Sequence, residues 1–266
     1  MDYLDALENE SIHIIREAYH SFSKKAVLWS IGKDSTTLIW LLRKAFFGKI
    51  PFPVVHIDTG YKFKEIYEFR DKYAKEWGLD LHIIKNEEAI KNGVCPQRDR
   101  LECCTQLKTN ALKNYIRDTK TEAVYLGIRR DEHGIRAKER ILSVRDEKFA
   151  WNYNEQSLEL WDQYKTKIDK EEHIRVHPIL NWTELDIWNY IKREQIPITE
   201  LYLSKEGKRY RSIGCEICCT PVVSDAKDVN MIIEEIKTTK VSERSGRVQD
   251  KESNHMMQKL RSLGYM

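Results

Sequence analysis

From Leu4 to Ile179, short apolar runs alternate with stretches whose apolar side chains recur at helical spacing. Residues 4–22 carry Leu4, Leu7, Ile12, Ile15 and Tyr19 on one helical stripe, which predicts a helix covering an edge of a sheet. Residues 27–29 predict a first strand, and residues 36–46 a helix that is apolar on most sides and stops at Gly48. The run 53–58 is continuously apolar up to Asp58, as expected of a strand buried on both faces. A helix over 64–77, a strand over 81–84, a helix over 105–118 and a strand over 123–126 continue the alternation. Residues 174–179 predict a last strand. Thr183 and Asp186 then form a capping box opening a helix in which Trp188 and Ile191 are core residues.

Strand and helix patterns taking turns in this way predict an α/β fold, a doubly wound and mostly parallel sheet. Right-handed crossovers would bring every strand end to the rim that carries Ser30. We read residues 1–200 as this domain. Residues 201–266 are read as a helical and loop extension holding a cysteine-rich turn, an amphipathic helix over 229–236 and a basic segment, 242–247, able to fold over a ligand. Residues 150–172 show no period and read as a surface excursion.

Composition changes this picture little. The chain has 266 residues and a net charge of +3 with 33% charged residues, so no global basicity points to nucleic acid. No apolar run approaches the ~18 residues of a membrane span, and the start is acidic where a signal peptide would be basic. A cytoplasmic chain is expected. Its six cysteines then point to metal or redox chemistry before disulfides.

The segment Trp29-Ser30-Ile31-Gly32-Lys33-Asp34-Ser35 joins the first strand to the next helix. Gly32 is expected to turn the backbone with φ > 0, while Ser30, Ser35 and the helix amides offer donors to phosphate and Lys33 offers charge. It is not a Walker A loop, because position 27 is valine where that motif needs glycine. The spacing resembles that of the PP-loop ATP pyrophosphatases, of the adenine nucleotide alpha hydrolase-like fold. The resemblance implies cleavage of ATP between its α and β phosphates. Asp58, at a strand's carboxyl end, is a candidate for ribose or metal, or else an aspartate opening a turn before Gly60. After Gly127, residues 129–145 hold six basic and three acidic side chains, suited to an oxyanion.

Cys103-Cys104 and Cys215-x-x-Cys218 can supply four thiolates to one centre, with zinc the simplest occupant on chemistry alone. Together with residues 210–218 they resemble the [4Fe-4S] site of adenylylsulfate reductases, which puts a cluster ahead of zinc or free thiols. Cys95 and Cys219 are left over. Along nearly its whole length the chain resembles the small, ATP-binding subunit of bacterial sulfate adenylyltransferases. The resemblance is carried by residues 30–35, 56–60, 129–140, 181–183 and 242–248. It implies an ATP site at Ser30, Gly32, Lys33, Asp34, Ser35 and Asp58, to which we add Gly127, Arg244 and Arg247. Lys33, Asp34, Arg129 and Arg130 are the catalytic candidates. The cysteines also fit the ATP pyrophosphatase components of DNA phosphorothioation systems. No cysteine follows Cys219 to act as a reductase nucleophile. The expectation is therefore an adenylate-forming enzyme using ATP, Mg²⁺ and a [4Fe-4S] cluster, most readily activating a DNA phosphate for sulfur insertion beside a cysteine desulfurase. Sulfate activation beside a GTPase large subunit is the alternative, a reductase the least favoured. An oligomer with no membrane association is expected in each case.

Overall fold

The computed structural model describes residues 2–154, 156–169, 172–248, 259–260 and 264. Its centre is a six-stranded sheet in the order β3-β2-β1-β4-β6-β5. The strands are β1 Lys25–Leu28, β2 Val54–Ile57, β3 Leu81–Ile84, β4 Ala123–Tyr125, β5 Leu142–Arg145 and β6 His173–Val176. Every neighbouring pair is parallel except β5 with β6. Val27 is in register with Val54 on one side and Tyr125 on the other, so the first strand is central. That position explains why β2 and β4 are buried at every residue, whereas the edge strand β3 is only half covered.

Flanking helices are α1 Tyr3–Ser21, α2 Lys33–Ala45, α3 Lys64–Glu76, α4 Glu87–Lys91, α5 Arg100–Cys104, α6 Ala111–Thr119 and α7 Glu184–Glu194. Helix α1 lies over the sheet, not along its edge. It buries Leu7, Ser11, Ile14, Ile15 and Ala18, and the Tyr125 hydroxyl donates to the Ile15 carbonyl at 3.0 Å. Helix α2 begins three residues before its expected start, so Lys33, Asp34 and Ser35 form its first turn. Thr183 caps α7 as expected: Thr183 Oγ1 accepts from the Asp186 amide at 3.2 Å and Asp186 Oδ2 from the Thr183 amide at 2.8 Å. Trp188 and Ile191 are in the core.

Two features were not anticipated. Residues expected as one helix over 105–118 are preceded by α5 and begin with a π-helical stretch, Thr105–Asn110, which runs directly into α6. A π stretch inside a helix re-aims its side chains and often marks a functional locus. The antiparallel edge strand β5 lies in what reads as a basic loop. Its Ser143 and Arg145 are buried, Arg145 by an ion pair to Glu139 at 2.7 Å, so polar residues occupy positions where sequence pattern expects a solvent face.

Beyond α7 come a two-residue hairpin, β7 Lys208–Arg209 with β8 Val222–Val223, then α8 Val229–Thr238 and a 3₁₀ turn, Glu243–Gly246. Helix α8 packs on α7 through Ile232 and Ile233, making the extension part of the same body. No helix among the described residues is long and apolar enough to cross a membrane.

Candidate active site

The carboxyl ends of β1, β2 and β4 open onto one cavity. Apolar Leu28, Val55, Ile57, Leu126 and Ile128 line one side of it, and the strand-to-helix loop with several cations lines the other. Ser30, Gly32, Lys33, Asp34, Ser35, Gly127, Arg244 and Arg247 all reach this cavity, so eight of the nine expected ATP-site residues are gathered in one place. Asp58 is not among its lining residues.

The loop turns differently from expectation. Gly32 is extended, with φ −73° and ψ 161°, and the left-handed residue is Ile31 at φ 68°. A buried β-branched side chain in that region costs about 1–3 kcal/mol and is held by its surroundings. Glycine at 32 is therefore not demanded by the backbone. A Cβ there would meet Ser30 Oγ at 3.5 Å and the Tyr202 hydroxyl at 3.6 Å, ordinary contacts, so its bareness matters only for what enters the cavity. Gly127 is the reverse case. A Cβ on it would lie 2.9 Å from the carbonyl of Asp34 and from Ser35 Cα, so only glycine lets the end of β4 pass against the start of α2.

Ser30 Oγ and Ser35 Oγ are 3.0 Å apart. The Lys33 amide donates to the Tyr202 hydroxyl at 2.8 Å, while the amides of Asp34 and Ser35 have no acceptor among the described residues. A helix start with open amides is suited to an anion.

Beneath the loop lies a buried ionic network. Lys33 Nζ pairs with Asp34 Oδ2 at 3.1 Å and with Glu243 Oε1. Arg129, fully buried, pairs with Asp34 Oδ1 at 2.6 Å, Asp131 Oδ1 at 2.6 Å and Glu243 Oε2. Burial alone would discharge Lys33, but Asp34 and Glu243 outweigh it and raise its pKa, so the ammonium is fixed. Arg129 is thus placed behind the loop as a tie between Asp34 and the extension, not in the cavity. Arg130 points elsewhere: it donates to Asn181 Oδ1 and to the Glu139 carbonyl, joining the loop before α7.

Asp58 closes a turn. Its Oδ1 accepts from the Gly60 amide and the Tyr67 hydroxyl, both at 2.8 Å, and its Oδ2 pairs with Lys85 at 2.9 Å. Both oxygens of Asp34, Asp58 and Glu132 are engaged, Glu132 with Arg136 and with Arg244 at 2.9 Å. The carboxylates around the loop are thus committed to neighbouring cations and amides.

The far end of the cavity carries Lys62, Lys108, Arg136, Arg244 and Arg247. Of these, Lys62 and Lys108 were not singled out from sequence, whereas Arg136 belongs to the basic segment expected to meet an oxyanion. Lys62 follows the Asp58 turn and Lys108 lies on the π stretch, positions for which the sequence holds no signal beyond proximity to Cys103 and Cys104. Arg247 donates to Ser212 Oγ at 2.9 Å, to the Ile213 carbonyl and to Cys219 Sγ at 3.4 Å. Its backbone bridges to Cys219, and the Thr220 amide donates to the Gly246 carbonyl at 2.9 Å, fastening the basic segment to the cysteine turn.

Cys103, Cys104, Cys215 and Cys218 are all buried. Tyr61 links the two pairs: it packs beside Cys103, and its carbonyl accepts from the Glu216 amide at 2.8 Å. Burial, then the neighbouring thiols, pushes Cys103 up to about 12. Burial also opposes ionisation of Cys215, but Lys108, Lys62 and a hydrogen bond of 3.3 Å to Thr59 Oγ1 bring it down to about 7. Among the described residues no three His, Cys, Asp or Glu side chains are set to share a metal ion, which holds for the expected cluster as much as for zinc. Cys95 is half-buried and Cys219 is the thiol held by Gly214 and Arg247.

A parallel sheet with its phosphate-type loop at the rim and a cation-lined cavity above it defines a nucleotide-dependent α/β protein of PP-loop type. The chain belongs to the family of the phosphoadenosine phosphosulfate reductase domain, whose model matches residues 24–221. Over its full length it is similar to sulfate adenylyltransferase subunit 2 of Phocaeicola vulgatus, at 43% identity covering 98% of that protein, and to that of Saccharophagus degradans at 42% and 98%. Among solved structures, phosphoadenylyl-sulfate reductase from Candida auris in a phosphate complex superposes with a TM-score of 0.56 at 18% identity, covering 84% of this chain and 98% of that one. Candida glabrata FMN adenylyltransferase with FMN and an ATP analogue gives 0.57 at 18%, covering 96% and 82%. These two likenesses are of fold.

Proposed function

We propose that the chain is the ATP-cleaving subunit of a sulfate adenylyltransferase, joining sulfate to the α phosphate of ATP and releasing pyrophosphate. It is an adenylyl-transferring enzyme, and the full-length similarity to proteins of that name, 43% over the whole chain, is the observation that carries the choice of sulfate. This reverses the order expected from sequence, where the cysteines put a DNA phosphate first. The partner that goes with this reading is a GTPase large subunit.

In this reading the adenine lies on Leu28, Val55, Ile57, Leu126 and Ile128, and the β and γ phosphates rest on Ser30, Ser35 and the open amides of α2. Lys33 sets the charge at that end, while Asp34, Glu243 and Arg129 hold it in place. Sulfate enters between Lys62, Lys108 and Arg247 and attacks the α phosphorus in line with the departing pyrophosphate. An oxyanion needs no general base, so positioning and preorganised charge supply the rate. Arg130, turned onto Asn181, is then a structural residue and Asp58 a turn former.

We also infer that Cys103, Cys104, Cys215 and Cys218 hold a [4Fe-4S] cluster. The support is chemical: four buried thiols from two distant segments, close enough that Cys104, Cys215 and Cys218 each act on Cys103, with Lys62, Lys108 and Arg247 supplying the positive surroundings that an anionic thiolate-bound centre requires. When bound it would cross-link α5 to the turn at Cys215 and add negative charge beside those cations.

The test is acceptor dependence. Purified with the subunits that accompany it, the protein should release pyrophosphate from ATP when sulfate is added and not when DNA is added. Release that needs DNA, or none with either, would overturn the reading.

A further inference from the structure

Tyr202 lies on a 3₁₀ turn, Glu200–Tyr202, outside every segment that the sequence marked as functional. Its ring stands edge-on to Trp188 with centroids 5.4 Å apart, which fixes the direction of the hydroxyl. That hydroxyl lines the cavity and accepts the first amide of α2, that of Lys33, at 2.8 Å. Its own proton has no acceptor among the described residues, although the side chain is only 2% exposed. A buried hydroxyl is rarely left half used. The space beside it is kept open by Gly32, whose absent Cβ would stand 3.6 Å from the phenolic oxygen, and Ser30 Oγ faces the same gap.

We propose that Tyr202 is a further ligand for the terminal phosphates of the nucleotide, donating its proton to a phosphate oxygen while its own oxygen takes the Lys33 amide. The inference rests on the reading that the Ser30–Ser35 loop holds the pyrophosphate end of ATP, and adds to it a residue from the far side of the chain. The helix start thereby presents the amides of Asp34 and Ser35 together with one neutral donor in place of the amide of Lys33. Burial pushes the phenol up to about 12, against the opposing influence of Lys33, so it keeps the proton it is to donate. A neutral donor also adds no further charge beside Lys33 and Arg129.

Tyr202→Phe keeps the ring on Trp188 and removes only the hydroxyl. Calorimetric titration of wild type and variant with inorganic pyrophosphate, ATP and AMP reads the role directly. Pyrophosphate and ATP should each bind roughly 10- to 100-fold more weakly to the variant, the loss expected for a hydrogen bond to a charged group. AMP should bind as it does to wild type, since it lacks the terminal phosphates. A merely structural cap on α2 would weaken all three ligands alike, and that result, or unchanged pyrophosphate affinity, overturns the assignment. If the variant does not fold, tyrosine difference absorbance of the wild-type protein on titration with pyrophosphate decides, because Tyr202 is the one tyrosine among the described residues lining the cavity. A perturbation is expected and its absence overturns the proposal. Wild-type protein that binds neither pyrophosphate nor ATP would instead remove the underlying ATP reading.

Discussion

Lys33 and Glu243 lie 210 positions apart in the chain and meet as a buried ion pair, Nζ of the lysine donating to Oε1 of the glutamate. Arg129 takes the other oxygen. The phosphate-type loop and the C-terminal extension are therefore one electrostatic unit, in which two cations are shared among the carboxylates of Asp34, Asp131 and Glu243.

Glu243→Gln should cost about 3–5 kcal/mol of stability, because Glu243 is the buried carboxylate that pairs with both Lys33 and Arg129, and its loss leaves Asp34 and the more exposed Asp131 as their remaining partners. The pH dependence gives a second reading of the same pair. Burial would raise the Glu243 pKa, but Arg129 and Lys33 outweigh it and hold the carboxyl far below the usual range. A carboxyl with a depressed folded pKa contributes fully above its unfolded value, about 4.3, and loses that contribution as pH falls toward the folded one. Urea unfolding between pH 5 and 3 should show wild type losing stability more steeply than the variant. Equal slopes would contradict the pairing.

Lys33→Ala should lower the rate of pyrophosphate release by about 10²–10³-fold, the effect of removing one preorganised charge from a transition state. AMP affinity should change little, since Lys33 serves the far phosphates. Turnover equal to wild type would defeat the assignment.

Gly127 and Gly32 make a contrasting pair. Gly127→Ala pushes a methyl into the backbone of Asp34 and Ser35 and should cost about 1–3 kcal/mol by overpacking, together with nucleotide affinity. Gly32→Ala meets only ordinary contacts and fits the extended backbone, so its melting temperature should stay near wild type while ATP binding falls. Thermal unfolding and ATP titration on both variants check the difference.

The central sheet was legible because short apolar runs in β1, β2 and β4 can be covered only from both faces, and the Thr183 capping box announces α7 locally. Strand β5 was not, since Ser143 and Arg145 are satisfied by burial and pairing that no local pattern reveals. The loop 30–35 was recognisable as a spacing, yet its turn was assigned to Gly32 on the general rule that glycine takes positive φ. Tertiary contacts hold Ile31 there instead. Arg129 and Arg130 looked equivalent in sequence, and burial separates them, one into the network under Lys33 and one onto Asn181. Tyr202, Lys62 and Lys108 reach the cavity through long-range packing and carry no motif of their own.

For the cysteines, the expectation is brown protein on purification without oxygen, with the broad visible absorbance of an iron–sulfur centre and about four irons per chain. Cys215→Ser should bleach it while ATP affinity stays within a few-fold of wild type. A colourless, zinc-loaded preparation would contradict the cluster.

The position of bond cleavage tests the account most directly. With ATP labelled at the γ phosphorus and sulfate present, the protein and its accompanying subunits should place the label in pyrophosphate, with AMP carried off on the acceptor. Label recovered as orthophosphate beside ADP would mean that the loop at Ser30–Ser35 does not hold a leaving pyrophosphate, and would contradict the account.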